Sequence, residues 1–318
     1  MAQHASLPGR DIHRIVTMAR RCEEADGIAP FNEQTTLGLS KHPDKHRRHF
    51  VVPLNDSVIA YAGAELVGDV AEAELAVDPG HRNRGVGDRL LTSVLDWVKP
   101  GAVAPGAAEL RVWAHGDLDV SKRFAAAHGF ERARVLFQFS RELGGFPWPA
   151  AWPEGAGKNW PKGEAPAAVL ADGVRLRPFR SGRDEAEWLR VNAAAFADHP
   201  EQGRWTAADL RARQEESWFD PDGLLIAEDD EGMLGFHWTK VEGGIGEVYV
   251  LGVDPRAQGT GLGRTLTLAG LAHLAAHGIQ QVDLYADESN TKAVGLYRKQ
   301  GFEVVRTDVQ WAKPLTRG

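Results

Sequence analysis

The sequence predicts an α+β protein of two tandem domains that share one fold, each with a mixed, mostly antiparallel sheet flanked by helices. A length of 318 residues is typical of about two domains. Residues 142–172 are rich in proline, glycine and alanine and lack helical or strand periodicity. One strand–turn–helix pattern occurs on both sides of that segment. We therefore expect an N-terminal domain over 1–141, a linker over 142–172 and a C-terminal domain over 173–318.

The repeated pattern is clearest at two Val-Asp-Pro triplets, residues 77–79 and 253–255, each of which follows an apolar, strand-like run. A glycine-containing turn and a long amphipathic stretch come next in both copies. A Gly-Phe pair, at 129–130 and at 301–302, closes each copy. So many shared features in nearly the same order indicate two copies of one fold.

Hydrophobic periodicity predicts the elements of the second half in more detail. Strands are expected at 173–179, 223–229, 234–241, 246–253, 282–287 and 302–312, and helices at 185–196, 262–277 and 290–300. The second and third of these strands are close enough in the chain to form a hairpin.

Composition excludes several classes of function. A net charge of -7 gives no electrostatic support for binding nucleic acid or an anionic membrane. The first residues lack the apolar core of a signal peptide, and no later run is long enough to span a bilayer. Cys22 is the only cysteine, which rules out an internal disulfide and argues against a cysteine-based metal site. We expect a cytoplasmic monomer without a bound metal.

The turn after the second triplet has the composition of a phosphate cradle. Residues 258–263, Gln-Gly-Thr-Gly-Leu-Gly, join a strand to the start of a helix, where backbone N–H groups and the helix dipole favour a pyrophosphate. Arg264 adds a positive charge, and residues 82–87 repeat the pattern in the first half. The turn lacks the ending of a Walker A loop and the acidic residue of a Rossmann fingerprint. A tight loop that binds nothing is the alternative.

These motifs together resemble the acyl-CoA loop of the GNAT superfamily of N-acyltransferases. Further segments resemble the mycothiol synthase family in particular: EVYVLGVDP, AFADHPEQGRW, WFDPDG and FHWTK in the second half and DGIAPFNEQ in the first. The resemblance covers nearly the whole chain. It implies a tandem GNAT enzyme that transfers an acetyl group from acetyl-CoA to the cysteinyl amine of desacetylmycothiol, a small-molecule acceptor.

The resemblance also implies where acetyl-CoA binds. In the second half the implied residues are Leu251, Gly252, Val253, Gln258, Gly259, Thr260, Gly261, Leu262, Gly263, Arg264, Asn290, Thr291, Lys292, Ala293, Val294 and Gly295. In the first half they are Leu75, Ala76, Val77, Asn83, Arg84, Gly85, Val86, Gly87 and Asp88. We expect Asn290 to cap a helix and the backbone around residue 252 to polarise the thioester carbonyl.

Acetyl transfer requires a base for the ammonium and benefits from an acid for the departing thiolate. Glu247 stands in an apolar strand before residues 258–263, which we call the glycine loop of this half, as residues 82–87 are of the first half. Glu247 is the implied base, and a solvated glutamate at a strand end is the alternative. Tyr297 is the implied acid, and a packed core aromatic is its alternative. For the acceptor, the resemblance implies contacts from Glu33, Glu201, Lys240, Glu247 and Tyr285, so that the site would include a residue of each half.

The internal repeat serves as a control on these assignments. Counted back from Val-Asp-Pro, Ala71 takes the place of Glu247. Counted from Gly-Phe, Ala125 takes the place of Tyr297 and Leu118 that of Asn290. We therefore expect the N-terminal domain to be inactive, with a loop still able to hold acetyl-CoA. Two other functions stay open: acetylation of a different small-molecule or protein amine, and a non-catalytic acyl-CoA-binding regulator.

Overall fold

The computed structural model describes residues 1–40, 44–99, 106–144, 173–197 and 202–315. The chain packs as two compact units: unit 1 is Met1–Phe137, Asp287–Ser289 and Arg306–Gly318, and unit 2 is Gln138–Ala286 and Asn290–Val305. This division differs from simple chain order because the last strand packs with unit 1. The linker over 142–172 stays a prediction, since nearly all of it lies outside the described residues.

Unit 1 is an α+β unit with helices on both faces of a mixed sheet. Its elements are β1 (Ala2–His4), α1 (Gly9–Asp26), α2 (Glu33–Gly38), β2 (Arg47–Leu54), β3 (Ser57–Val67), β4 (Val70–Val77), α3 (Val86–Val98), β5 (Glu109–Ala114), α4 (Asp119–Ala127), most of β6 (Glu131–Glu142) and, from residue 306, β12 (Glu303–Pro314). The strand order is β1-β2-β3-β4-β5-β12. The pair β4–β5 is parallel, whereas β5–β12 is antiparallel.

The core of unit 1 has two layers, one on each side of the sheet. On one face, α3 packs Leu90, Leu91 and Val94 against small residues such as Ala71, which is fully buried. On the other face, α1 packs against Tyr61 and its neighbours. Because side chains alternate along a strand, neighbouring residues of β4 belong to opposite layers.

Unit 2 confirms the predicted α+β architecture. Its elements are β7 (Arg175–Pro178), α5 (Glu185–Ala195), α6 (Ala207–Gln214), β8 (Leu224–Asp229), β9 (Gly232–Glu242), β10 (Ile245–Val253), α7 (Leu262–Ala276), β11 (Gln281–Asp287) and α8 (Thr291–Lys299). The strand order is β6-β11-β10-β9-β8-β7. Every strand and helix predicted for the second half of the chain is present, and the last predicted strand is β12. Helix α6 was missed, although its capping box between Thr206 and Asp209 is a recognisable start signal.

The two faces of the unit 2 sheet differ in character. Helix α7 packs Leu262 and Leu266 against one face, which we call the α7 face. The opposite face carries a cluster that includes Trp188, Phe236 and Trp238, and we call it the aromatic face. In the described part of the chain, no helix has the length and apolar content needed to cross a bilayer.

Candidate active site

The aspartate of each Val-Asp-Pro triplet organises the turn that leads to the glycine loop. Asp78 accepts a hydrogen bond from the Gly80 backbone, and Asp254 accepts one from the Arg256 backbone. Arg21 Nε donates to Asp78 at 2.6 Å, and in unit 2 an arginine of the first helix, Arg190, donates to Asp254 at 2.8 Å. Each unit therefore anchors this turn to its first helix with the same ion pair.

Electrostatics support this anchoring role. Burial alone would raise the pKa of Asp254, but the Arg256 N–H and the Arg190 guanidinium lower it below its ordinary value. The same balance lowers the pKa of Asp78, with Arg21 as the main donor. Both aspartates therefore stay ionised, and the sequence motif has a structural cause in both units.

The glycine loops of the two units share one backbone conformation. Gly259 and Gly261 have φ values of +80° and +89°, and the residues at the matching positions in unit 1, Asn83 and Gly85, have 57° and 71°. Asparagine is one of the few side chains that tolerates this left-handed region. In both units the loop ends at the first turn of a helix, α7 or α3, whose N–H groups point towards the loop.

Beside each loop, two parallel strands separate. The β10–β11 register ends at Val248 opposite Leu284, although β10 continues to Val253. The β4–β5 register ends in the same way at Glu74 opposite Trp113. We call the opening between β10 and β11 the strand gap. The residues predicted to bind the pantetheine arm, 251–253, lie along it and hydrogen-bond to β9 on their other side.

A β-bulge in β10 determines where Glu247 points. Val248 pairs with Thr239 and Val250 with Trp238, so that Tyr249 is an extra residue on β10. Before the bulge, Glu247 lies directly opposite Lys240. Trp238 and Lys240 are two residues apart on β9, so both point to the aromatic face. Glu247 lies directly opposite Lys240 and therefore points to the aromatic face as well.

Three charged residues form a row across this face. Glu247 lies between Lys240 on β9 and Asp283 on β11, with which it pairs in parallel register. These three side chains and Tyr285, which follows Asp283 by two residues, line one cavity of about 180 Å³. The predicted acceptor contacts Lys240, Glu247 and Tyr285 are thus brought together. Asp283 was not predicted, and only the register of the sheet identifies it.

Lys240 is nearly buried, and its charge has several neighbours. Its Nζ lies 3.0 Å from Glu242 Oε2 and 5.1 Å from the centre of the Trp218 ring. The ring of Tyr249 is also close, at 5.7 Å, and Arg213 Nε donates to its hydroxyl. The aromatic rings and Glu242 therefore hold the ammonium in a defined position at the edge of the cavity.

Tyr297 lies on the α7 face of the unit 2 sheet, opposite to the face on which Glu247 lies. Gln138 and Ser140 on β6 donate to Asp283, so Phe139 between them points to the α7 face. The Tyr297 ring packs against Phe139, with 6.1 Å between ring centres. Glu247 and Tyr297 thus occupy different faces of the sheet, and a group that contacts both would have to enter the strand gap.

The environment of Tyr297 favours a protonated phenol. Burial raises the pKa of Tyr297 to about 12, and its side chain is 7% exposed. The ring also packs against Phe302 of the Gly-Phe pair, with 5.8 Å between ring centres. No residue in the described ranges hydrogen-bonds to the Tyr297 hydroxyl.

The remaining residues predicted for acetyl-CoA lie around the ends of α7 and α8. Asn290 caps α8 as expected, since its side chain accepts from the Ala293 N–H at 3.1 Å. Arg264 and Lys292 are exposed in the first turns of α7 and α8. Positive charges and free N–H groups at helix starts are the features that a diphosphate requires.

The structure of unit 1 corrects the prediction that Ala71 is the counterpart of Glu247. Its β3–β4 register is continuous, so β4 has no bulge. Positions can instead be counted from the turn between β3 and β4 in unit 1 and from the turn between β9 and β10 in unit 2. Counted in this way, Glu72 rather than Ala71 occupies the place of Glu247, and Glu72 pairs with Glu65 on β3. Ala71 instead lies in the core beneath α3. The alignment failed because counting from Val-Asp-Pro crosses the extra residue of β10.

Unit 1 also contains a larger cavity, of about 270 Å³. The residues predicted for acetyl-CoA that line it are Leu75, Ala76, Val77, Asn83, Gly85, Val86, Gly87 and Asp88. Arg84 is exposed beside them. Leu118 and Ala125, aligned above with Asn290 and Tyr297, line the same cavity.

The wall of this cavity includes a buried charge cluster that the sequence did not predict. His115 Nε2 lies 2.9 Å from Glu74 Oε1, and His115 Nδ1 lies 3.0 Å from Asp308 Oδ2. Burial alone would lower the pKa of His115, but Asp308 and Glu74 raise it to about 9. The imidazolium therefore fastens β12 to β5 within unit 1.

Two predicted acceptor contacts stay predictions. Glu33 is exposed at the start of α2 in unit 1, where Asn32 caps the helix. Glu201 lies outside the described residues. Among the residues that the structure describes, no cluster of histidine, cysteine and carboxylate side chains is arranged to hold a metal ion.

Comparison with protein families identifies the class of protein. The Acetyltransferase (GNAT) family matches residues 12–130 and 188–302, once in each copy of the repeat. The two matches together cover more than half of the chain. The chain therefore belongs to the GNAT acetyltransferase family.

Similar proteins show to which group of the GNAT family this chain belongs. A mycothiol acetyltransferase of Thermobispora bispora is 46% identical over 313 residues, which cover 96% of this chain and 97% of that protein. A mycothiol acetyltransferase of Geodermatophilus obscurus is 47% identical, with 94% and 93% covered. Within the GNAT family, this chain groups with the mycothiol acetyltransferases.

Solved structures agree with the fold. A GCN5-related N-acetyltransferase from Sphaerobacter thermophilus superimposes with a TM-score of 0.70 at 22% identity, covering 98% of this chain and 95% of that chain. Together with the two family matches, this similarity confirms the predicted tandem α+β fold.

Proposed function

We propose that this chain transfers the acetyl group of acetyl-CoA to the cysteinyl amine of desacetylmycothiol, the last step of mycothiol biosynthesis. The observation that carries the proposal is the cavity in which Lys240, Glu247 and Tyr285 meet on the aromatic face. The names of the relatives support this acceptor among the amines that a GNAT enzyme could use.

Acetyl-CoA is proposed to bind along the strand gap of unit 2. The diphosphate would lie against the glycine loop and the first turn of α7, with Arg264 as a charged contact. The pantetheine arm would follow residues 251–253 of β10, whose backbone is not paired with β11. Backbone N–H groups there would also stabilise the oxyanion that forms at the thioester carbon.

The proposed reaction needs one base and one acid. Glu247 accepts a proton from the acceptor ammonium, and the free amine attacks the thioester carbonyl. The new C–N bond forms as the C–S bond breaks, and the leaving thiolate takes a proton from the hydroxyl of Tyr297. The attacking nitrogen then loses its second proton to give the neutral amide; this proton restores the phenol, and the proton on Glu247 passes to solvent. Burial raises the pKa of Tyr297 to about 12, so the phenol is protonated at neutral pH and has a proton to donate.

Unit 1 is proposed to bind without catalysing. It has a cavity and a loop of the required shape, and Glu72 supplies a carboxylate. However, Ala125 stands where unit 2 has the phenol, and a methyl group cannot protonate a thiolate. We propose that unit 1 can hold acetyl-CoA.

Acceptor profiling tests the proposed function. Purified protein and acetyl-CoA are incubated with the cysteinyl-glucosaminyl-inositol, an aminoglycoside, a polyamine and a peptide amine, and thiol release is measured. We expect turnover of the first acceptor to exceed that of the others by at least about 10²-fold in kcat/KM. Preferred turnover of another amine would overturn the acceptor, and tight acetyl-CoA binding with no transfer to any amine would overturn the enzymatic function.

A further inference from the structure

Asp283 is a second carboxylate next to the proposed base. It pairs with Glu247 in the parallel register of β10 and β11, and residues in register on neighbouring strands are separated by about 5 Å. Both side chains point to the aromatic face, and both line the same cavity. Nothing in the sequence pattern identified Asp283, because its position depends on strand pairing.

Three neutral donors hold the Asp283 carboxylate in place. Ser140 Oγ donates to Oδ1 at 2.6 Å, Gln281 Nε2 donates to the same oxygen at 3.0 Å, and Gln138 Nε2 donates to Oδ2 at 2.9 Å. No lysine or arginine in the described ranges forms an ion pair with it. Neutral donors fix the orientation of a carboxylate without cancelling its charge.

Unit 1 provides an internal contrast. Its register-matched glutamate, Glu72, pairs with Arg111 on β5, where unit 2 has Asp283. On the other side, Glu72 faces Glu65, where unit 2 has Lys240. The signs of both flanking charges are therefore reversed between the two units, although the central glutamate is present in each.

The other side chains that face Glu247 do not supply the negative charge that Asp283 supplies. From β9 comes Lys240, which shares its charge with Glu242 at 3.0 Å. From β11 comes Tyr285, which has a phenol and no carboxylate. On β10 itself, Tyr249 accepts a hydrogen bond from Arg213 on α6.

We propose that Asp283 is a positioning residue that acts through Glu247: its fixed negative charge raises the proton affinity of Glu247 and attracts the acceptor ammonium. A neighbouring like charge disfavours ionisation, so a carboxylate beside another becomes a stronger base. A stronger base is better matched to proton transfer near neutral pH. This inference rests on the proposed function.

The test compares Asp283→Asn, Asp283→Glu and wild-type protein with the cysteinyl-glucosaminyl-inositol. Asp283→Asn removes the charge but keeps the size. We expect it to lower kcat/KM for the acceptor about 10-fold and to move the acid limb of the pH–kcat profile to lower pH by about one unit. The KM for acetyl-CoA should not change. Asp283→Glu should return the acid limb to the wild-type position.

The matched control is Asp230→Asn, which makes the same chemical change at an exposed site paired with Arg175. It should leave both kinetic constants and the pH profile unchanged. Identical acid limbs for Asp283→Asn and Asp283→Glu would overturn the charge mechanism. If wild-type protein itself fails to acetylate this acceptor, the proposed function fails. In that case the same profiles, measured with whichever amine is turned over, decide the role of Asp283 separately.

Discussion

Glu247 faces Lys240 on the aromatic side of unit 2 because β10 has an extra residue, Tyr249, between the two strand segments that pair with β9. Without that bulge, the residue at this distance from Val-Asp-Pro would point into the core beneath α7, as Ala71 does beneath α3. Bulges beside active sites commonly re-aim one side chain in this way. The catalytic proposal therefore depends on one inserted residue.

Replacement of the proposed base should stop the chemistry without weakening binding. We expect Glu247→Gln to lower kcat by roughly 10²-fold or more, because the amide cannot accept the ammonium proton. Acetyl-CoA affinity, measured by calorimetry, should be unchanged. The control is Glu72→Gln, at the matching register position of unit 1. A rate loss with Glu72→Gln equal to that with Glu247→Gln would contradict the assignment of catalysis to unit 2.

Removal of one oxygen atom tests the proposed acid. Tyr297→Phe keeps the ring that packs against Phe139 and Phe302. We expect kcat to fall about 10-fold or more, with the loss greatest for the step that releases CoA. Thermal unfolding should change little, because the hydroxyl has no hydrogen-bond partner among the described residues. An unchanged kcat would show that the tyrosine is only a core aromatic.

Ala71 should not tolerate a carboxylate. Its side chain is fully buried in the core of unit 1. We expect Ala71→Glu to lower the free energy of unfolding by about 3–5 kcal/mol, because the new charge would have no partner there. Urea unfolding measures this cost. The neighbouring variant Glu72→Ala, which lies on the other face, should cost about 1 kcal/mol or less. Equal effects of the two changes would contradict the register.

The stability of unit 1 should depend on pH through His115. Its pKa is raised from 6.5 to about 9 by Asp308 and Glu74, against the opposing effect of burial. A raised pKa in the folded state stabilises the protein fully below pH 6.5, and this contribution is lost as the pH rises through about 9. The free energy of unfolding should therefore fall by roughly 3 kcal/mol over that range.

The variant His115→Gln identifies the source of this dependence. We expect its unfolding free energy to change much less between pH 6.5 and 9 than that of wild-type protein, measured by urea titration at each pH. His13→Gln, at an exposed site on α1, should keep the wild-type slope. A slope that is equally steep without His115 would assign the dependence to other groups.

Local features of the site followed from the sequence. The Val-Asp-Pro turn, the left-handed glycines and the Asn290 cap depend on residues within a few positions of one another. Hydrophobic periodicity predicted strands β7 to β11 and helices α5, α7 and α8 of unit 2, but not α6. The predicted base and two acceptor contacts, Lys240 and Tyr285, meet in one cavity.

Only the tertiary structure decided which residues lie side by side across strands. The bulge at Tyr249, the pairing of Glu247 with Asp283 and the link from His115 to Asp308 join residues that are distant in the chain or differ by one position in register. The packing of residues 306–315 with unit 1 is of the same kind. The physical reason is that strand register is set by long-range hydrogen bonding and core packing, and a one-residue shift reverses the face on which every side chain lies.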